Sequence, residues 1–437
     1  MHRNIVVAVL SVIVLALGFA VGGEAAVAND REEWGEAHGE QSYVKRSCIA
    51  WDMFIRNRSG EHGRWGRGWP VIDRLAGDEP YGKLLRDWKA DNCMRLNEVQ
   101  VLGTHNSYHI QPRPAILAAL AGFDPLVAMS MEYTHRPLDE QLGLLGVRQV
   151  ELDVFADPAG GLFAMPLGPI LVQGFPDPFK PPLLAPGLKV LHVQDIDFET
   201  RCLTFASCLQ TIKTWSDSNS GHLPLMVQVE AKDDPITIGP PLPWAVPVPF
   251  GAAALDEMDT TIRSIFPDDQ LITPDDVRGN RATLEKAVLK DGWPTLNESR
   301  GRVLFTLDNE DGKRDLYIAG HPSLQGRVLF TSSPPGAPES AFVKVNDPVT
   351  NQTYISGLVA AGYIVRTRAD ADTVEARYNL TARRAAALAS GAQFVSTDYP
   401  EPDPDFTPYF VDIPGGQVAR CNPVLAPPGC DSAELED

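Results

Sequence analysis

Four stretches of this 437-residue chain place proton-moving or metal-holding side chains at the end of short apolar runs. The first closes on Gly103-Thr104-His105-Asn106-Ser107-Tyr108, and the second carries Glu151-Leu152-Asp153. The third offers His192, and the fourth runs Val227-Gln228-Val229-Glu230-Ala231-Lys232. Alternate side chains of an extended strand share a face, so Glu151 and Asp153 point the same way. Two carboxylates among apolar strands are costly unless something pairs with them, and a bound cation is the simplest remedy. Oxygen ligands from Asn106, Glu151, Asp153 and Glu230 suit a hard cation such as calcium or magnesium better than zinc. His105 and His192 add a proton acceptor and a proton donor that titrate near neutral pH. Singly, each histidine is more often structural and Glu151-x-Asp153 could be a salt-bridged strand end. Four strand ends with complementary chemistry, in order, favour a site. His109, His135, His222 and His321 read as ordinary surface or loop histidines.

Such groups need a scaffold that brings distant strand ends together. Runs rich in Val, Ile, Leu and Phe recur at 99–104, 148–154, 188–193, 223–231, 302–307, 327–331, 363–367 and 392–397. Between several of them lie helical patterns, at Leu138, Leu142 and Leu145 and over 203–215, 252–265, 283–289 and 373–388. Near-continuous apolar strands alternating with helices predict a parallel sheet, and eight such units predict a (β/α)8 TIM-type barrel, whose functional groups gather at the carboxy-terminal ends of the strands. A doubly wound open sheet is the alternative, weakened by the absence of a Gly-x-Gly-x-x-Gly turn after the first strand. Proline-rich stretches at 166–186 and 235–249 read as loop insertions. The barrel is expected over 98–400, an amino-terminal extension over 29–97 and a carboxy-terminal tail over 401–437.

Residues 1–28 have a short basic start, an apolar run and an Ala26-Val27-Ala28 cleavage pattern, which predicts a signal peptide and a secreted or periplasmic protein. Six cysteines in an exported chain predict disulfides, and proximity suggests Cys48 with Cys93, Cys202 with Cys208 and Cys421 with Cys430. The formal charge of −19 argues against nucleic acid as a partner, because phosphate binding needs a basic surplus.

Thr-His-Asn-Ser-Tyr (104–108), Val-Glu-Leu-Asp-Val (150–154), the His192 run and Leu-Met-Val-Gln-Val-Glu (225–230) resemble, in the same order, the catalytic strands of calcium-dependent phosphatidylinositol-specific phospholipases C, especially the secreted microbial branch. Gly-Tyr-Ile-Val-Arg-Thr-Arg-Ala-Asp-Ala-Asp (362–372) and Gly-Ala-Gln-Phe-Val-Ser-Thr-Asp-Tyr-Pro (391–400) extend the likeness. The resemblance implies that Asn106, Glu151, Asp153 and Glu230 ligate calcium while His105 and His192 flank the scissile phosphodiester. It implies cleavage of a phosphatidylinositol-type lipid, or a related phosphodiester, to diacylglycerol and inositol phosphate. In that scheme a ligand carboxylate such as Glu151 takes a proton, His105 as imidazolium binds phosphoryl oxygens, and His192 protonates the leaving oxygen, the two histidine roles being exchangeable. Where animal members of the family carry lysines for extra inositol phosphates, this chain has Asp308-Asn309-Glu310-Asp311, so polyphosphorylated inositides are poor candidates. Lys232 and Arg366 are the candidates to meet a single phosphate or a ring hydroxyl. A glycerophosphodiester phosphodiesterase is the rival enzyme, expected to read His-Arg-Gly where this chain has His105-Asn106-Ser107. A non-catalytic inositide- or calcium-binding barrel is the non-enzyme rival.

An acidic protein is repelled by an anionic lipid surface, so membrane contact requires apolar compensation. The two proline-rich insertions, with Phe163, Met165, Leu167, Ile170, Leu171, Phe175 and Phe179 in one and Leu242, Trp244, Val246, Val248 and Phe250 in the other, are expected to be stiff loops. They either project as a membrane rim or pack on each other.

Overall fold

The computed structural model describes residues 91–310 and 312–436. The expected signal peptide, nearly all of the expected amino-terminal extension and the expected Cys48–Cys93 pairing therefore lie outside the described residues.

Eight parallel strands form a ring. They are β1 (Val99–Thr104), β2 (Gln149–Phe155), β4 (Leu225–Lys232), β6 (Val303–Leu307), β7 (Leu329–Thr331), β8 (Phe342–Lys344), β9 (Ile364–Arg368) and β10 (Phe394–Thr397). Each pairs in parallel with the next, β10 returns to β1, and the step from β7 to β8 is made by a parallel bridge between Ser332 and Phe342. The ring is thus closed, as the expected (β/α)8 barrel requires. Three short strands hang on it. β3 (Lys189–Val190) runs antiparallel to the end of β2, β5 (Leu271–Ile272) lies beside the start of β6, and β11 (Ala419–Cys421) runs antiparallel to the start of β1.

Seven of the eight apolar runs are barrel strands, and one is not. The 188–193 run contributes only the two-residue β3, so His192 rides on a loop outside the ring. The eighth barrel strand is β8, three residues long after a proline-rich turn. Helices fall at Leu138–Gly143, Phe205–Ser218, Ala252–Ile265 and Leu284–Lys290, near the patterns that predict them. The 373–388 pattern is instead split into Val374–Tyr378 and Ala382–Ala389, because the backbone turns left-handed at Asn379 (φ 52°). The fourteen-residue helix Pro348–Ala361 had a readable start, Asp347 capping the backbone amides of Val349 and Thr350 and Pro348 at the first position.

Every residue of β1, β2, β6, β7 and β10 is buried, which is why those runs are apolar without alternation. The carboxy-terminal tail closes the other end. Asn422 N donates to Glu98 O, Leu435 is fully buried, and Glu436 pairs with Arg148 while accepting from Leu223 N. Cys202–Cys208 and Cys421–Cys430 are disulfides, as proximity suggested.

The β1–β2 seam demands glycine. A Cβ at Gly103 would lie 1.8 Å from Gln149 Oε1 and 2.8 Å from Gln149 Cβ, and Gln149 is fully buried. Gly103→Ala is therefore expected to destabilise the protein by about 1–3 kcal/mol, the usual cost of overpacking, read as a lower urea midpoint at unchanged m-value. An unchanged midpoint would show that the seam yields freely.

Candidate active site

β2 and β4 lie side by side with Asp153 opposite Glu230 and Glu151 opposite Gln228. This register brings carboxylate oxygens of Glu151, Asp153 and Glu230 within 4.8 Å of one another. The loop after β1 is sewn to the same place: Ser107 N donates to Glu151 O at 2.9 Å, and Glu151 N donates to Ser107 Oγ at 2.8 Å. Asn106 sits in that loop in the left-handed region (φ 44°), which asparagine tolerates. Its Nδ2 donates to the Tyr133 hydroxyl at 3.1 Å, while its buried Oδ1 has no hydrogen-bond partner.

Cations border the cluster without saturating it. Lys232 Nζ stands 3.5 Å from Asp153 Oδ2 and 3.4 Å from Glu230 Oε1, and Arg366 Nη2 donates to Glu151 Oε2 at 2.5 Å. Neither oxygen of the fully buried Asp153 accepts a hydrogen bond. Burial, against the pull of Arg366, pushes Glu151 up to about 7, and burial pushes Asp153 well above the ordinary carboxylate range despite Lys232. Buried oxygens without partners, all hard donors, fit a divalent cation such as calcium, which Asn106, Glu151, Asp153 and Glu230 would hold. Arg366 is only 1% exposed, held by Glu151, Ser396 and Asn346. The expectation that it reaches substrate gives way to a role as the charge partner of Glu151. Lys232 keeps an accessible edge.

His105 follows β1, next to Asn106, and its ring faces the ends of β9 and β10. Its Nδ1 is 2.8 Å from Asp398 Oδ1, and Arg368 Nη2 donates to Asp398 Oδ2 at 2.8 Å. Arg368 Nη1 approaches His105 Nε2 at 3.4 Å. A guanidinium can only donate, so this arrangement favours the tautomer with its proton on Nδ1 and a lone pair on Nε2. Burial, then Arg368, pushes His105 well below its ordinary value even against Asp398. That environment favours a neutral ring, where the resemblance implies an imidazolium in one of two exchangeable histidine roles. Burial works against an ionised Asp398, yet His105 and Arg368 hold it below the usual carboxylate range. Asp370 accepts from Asp398 N at 2.8 Å and from Thr397 Oγ1, and burial followed by Asp398 raises it to about 7.

His192 meets Asp197 on a tight turn, closed by reciprocal 2.9 Å backbone bonds between Val193 and Asp197, with Nδ1 2.6 Å from Asp197 Oδ2. The fully buried His109 shares that carboxylate, its Nε2 2.9 Å from both oxygens. Burial favours a neutral Asp197, but His109 and His192 outweigh it and hold the group at about 2. Four rings form a row, with centroids 6.3 Å apart from His105 to Tyr133, 4.2 Å from Tyr133 to His109 and 5.5 Å from His109 to His192.

Sequence reasoning missed Asp398, Arg368, Asp197, Tyr133 and His109. Two signals were present: Arg368 follows Arg366 by two residues on one strand, and Asp398 ends a strand as Glu230 nearly does. His109, His135 and His222 are buried, against the surface reading, because each finds polar partners inside. His135, held at about 4 by burial, donates from Nε2 to His105 O at 2.8 Å, and His222 bonds Ser216 Oγ at 2.7 Å. His321 is half-buried on its loop.

A closed (β/α)8 barrel with a carboxylate cluster and histidine–aspartate pairs at its carboxy-terminal rim has the makings of a phosphodiesterase. The family model described as Ca2+-dependent phosphoinositide phospholipase C matches residues 94–423, well over half of the chain. The protein belongs to that family of enzymes. Among solved structures it is similar to a calcium-dependent phosphoinositol-specific phospholipase C from Pseudomonas sp. (14% identity, 76% of this chain and 96% of that one, TM-score 0.48). It is also similar to a Ca2+-dependent phosphatidylinositol-specific phospholipase C from Streptomyces antibioticus (17% identity, 70% and 95%, TM-score 0.44). A glycerophosphoryl diester phosphodiesterase from Parabacteroides distasonis matches at 11% identity, 70% and 84%, with a TM-score of 0.27. No curated protein matches the sequence.

Proposed function

We propose that this chain is a calcium-dependent phospholipase C that cleaves phosphatidylinositol-type lipids to diacylglycerol and an inositol phosphate. The observation that carries the proposal is the meeting, at one end of the barrel, of the Glu151–Asp153–Glu230 cluster with two imidazoles that each lean on a buried carboxylate. Calcium, when bound, acidifies the inositol 2-hydroxyl and offsets charge growing on the phosphoryl oxygens. His105, its Nδ1 proton held by Asp398, takes the hydroxyl proton at Nε2. Glu151, raised to about 7, has the higher proton affinity, but Arg366 and the metal cluster engage its oxygens, so the proton is assigned to the neutral His105. The 2-hydroxyl oxygen bonds to phosphorus as the bond to the glycerol oxygen breaks, and His192 gives its Nε2 proton to that oxygen. Water then opens the cyclic phosphodiester. Lys344 lies beside Asp308, and its ammonium donates to Asp308 Oδ2 at 2.6 Å, consistent with a substrate lacking further ring phosphates. Turnover of phosphatidylinositol, glycerophosphoinositol and glycerophosphocholine, with and without chelator, tests the proposal. Preference for glycerophosphocholine would favour the glycerophosphodiesterase reading, and no turnover of any would favour a binding barrel.

The insertions supply the lipid contact. They are tied together by Asp195, whose carboxylate accepts from Leu167 N at 2.8 Å and Ala245 N at 2.6 Å. The first contains a helix, Leu167–Gln173, where only loop was expected, with Pro169 tolerated in its first turn. Phe163, Phe250 and most of Trp244 pack inward, the last against a cluster around Ile116 and Leu120. Met165, Leu171, Phe175, Phe179 and Val246 are exposed, joined by Phe123 and Leu126. No helix among the described residues is long and apolar enough to cross a membrane, so this rim would rest on the surface. Each phenylalanine is worth roughly 2 kcal/mol on leaving water. Phe175→Asp with Phe179→Asp is expected to weaken binding to phosphatidylinositol vesicles about tenfold or more, while hydrolysis of a short-chain soluble analogue stays near normal. Equal loss on both substrates would show that these residues support the site instead.

A further inference from the structure

Asp197 and His109 are both fully buried, and neither side chain is hydrogen-bonded to Glu151, Asp153, Glu230 or the His105–Asp398 pair. Burying a histidine–carboxylate pair seldom repays its desolvation in stability, so such a pair at an active site calls for a functional account. The geometry supplies one. His192 Nδ1 lies 2.6 Å from Asp197 Oδ2, so the carboxylate accepts the Nδ1 proton and favours the imidazolium, whose second proton on Nε2 is the one to be given away. Asp197 is itself held from behind by His109 Nε2, 2.9 Å from each oxygen, and His109 Nδ1 lies 3.0 Å from Tyr133 O. Carboxylate and carbonyl both only accept, so His109 serves as a donor on both sides and cannot turn without breaking a bond. The Tyr133 ring stacks on it at 4.2 Å, and the Val193–Asp197 turn is fastened to the end of β4 by Gln194 Nε2 donating to Asp234 O at 3.1 Å.

We infer that Asp197 and His109 are positioning residues that hold the His192 imidazolium and set the tilt with which it meets the leaving oxygen. His109 acts from behind, through its bonds to Asp197 and the edge of its ring towards His192, since it is fully buried. The inference rests on the proposed role of His192 as proton donor.

Leaving-group dependence separates positioning from support of the fold. Glycerol alkoxide needs a proton as it departs, whereas 4-nitrophenoxide scarcely does. In the full-length protein, Asp197→Asn is expected to lower kcat on phosphatidylinositol about 10²-fold or more, the scale seen when an orienting carboxylate behind a catalytic imidazole is removed, but to change kcat on a 4-nitrophenyl inositol phosphodiester less than about fivefold. His109→Ala should lose about tenfold on the lipid only, and His109→Gln, which restores a donor towards Asp197, should recover part of it. Thermal unfolding and calcium titration calorimetry of each variant show whether fold and carboxylate cluster persist. Equal losses on both substrates in a folded Asp197→Asn variant, or full lipid activity in folded His109→Ala, would overturn the inference. Should Asp197→Asn not fold, the two His109 variants decide. His192→Ala is the reference: if it shows no leaving-group dependence, the proton-donor role itself fails, which is a separate outcome from failure of the positioning unit.

Discussion

Exhaustive chelation of calcium is expected to abolish turnover, by about 10³-fold or more, and readdition to restore it. Glu151, Asp153 and Glu230 crowd their carboxylate oxygens within 4.8 Å, and Lys232 and Arg366 supply hydrogen-bond or ion-pair contact to only part of that set. Two oxygens of Asp153 and one of Asn106 remain buried without a hydrogen-bond partner. Without a divalent cation, the same carboxylates repel the substrate phosphate they must admit. Magnesium should substitute poorly, because it insists on near-octahedral geometry and sheds water reluctantly, while a cluster of three carboxylates and one amide suits the looser, larger shell of calcium. A readout independent of catalysis is available: calcium should raise the thermal midpoint of the native protein and leave that of Asp153→Asn nearly unchanged. Turnover that survives chelation, or an equal calcium shift in the variant, would remove calcium from the site.

The carboxylate cluster was legible in the sequence for a simple reason. Glu151 and Asp153 are two apart on a strand, so their common face follows from local geometry alone, and Glu230 joins them because β4 pairs beside β2 in register. The His105–Asp398 pair was not legible, although both residues end strands, because 293 positions separate them and only ring closure of β10 on β1 brings them together. The His192 run shows the opposite failure. Its apolar alternation reads as a strand, but strand identity depends on a partner, and only Lys189 and Val190 pair with a barrel strand. β8 escaped notice because three residues give no period to detect. His109 was dismissed because its value lies in burial beside Asp197, which a lone histidine in a polar loop does not announce. The insertions were half right: proline kept them from long regular structure, yet the Asp195 carboxylate folded them onto each other while their outer side chains stayed in solvent.

His105→Ala is expected to lower kcat on phosphatidylinositol by about 10³-fold, and His192→Ala by about 10²-fold or more, in proteins that still fold. The larger loss at His105 follows from its place. The leaving oxygen can borrow a proton from water at some cost, but the attacking hydroxyl must lose its proton to a group that is free to take it. Lys232 and Arg366 are already cationic, and Glu151 is tied to Arg366. Because Asp398 acts on His105 through the 2.8 Å bond to Nδ1, its effect should vanish once the ring is gone. Asp398→Asn alone should cost about 10²-fold, and in the His105→Ala background it should cost almost nothing further, the non-additivity of groups that work as one unit. Arg368 complicates a naive version of this test, since Asp398 also receives its guanidinium at 2.8 Å. An Arg368→Lys variant keeps the charge while losing the fork, so it shows how much of the Asp398 effect runs through the cation instead of the imidazole. Independent, additive losses from His105→Ala and Asp398→Asn would show that Asp398 serves the substrate or Arg368 directly, and near-normal turnover in folded His105→Ala would move the proton acceptor to another group altogether.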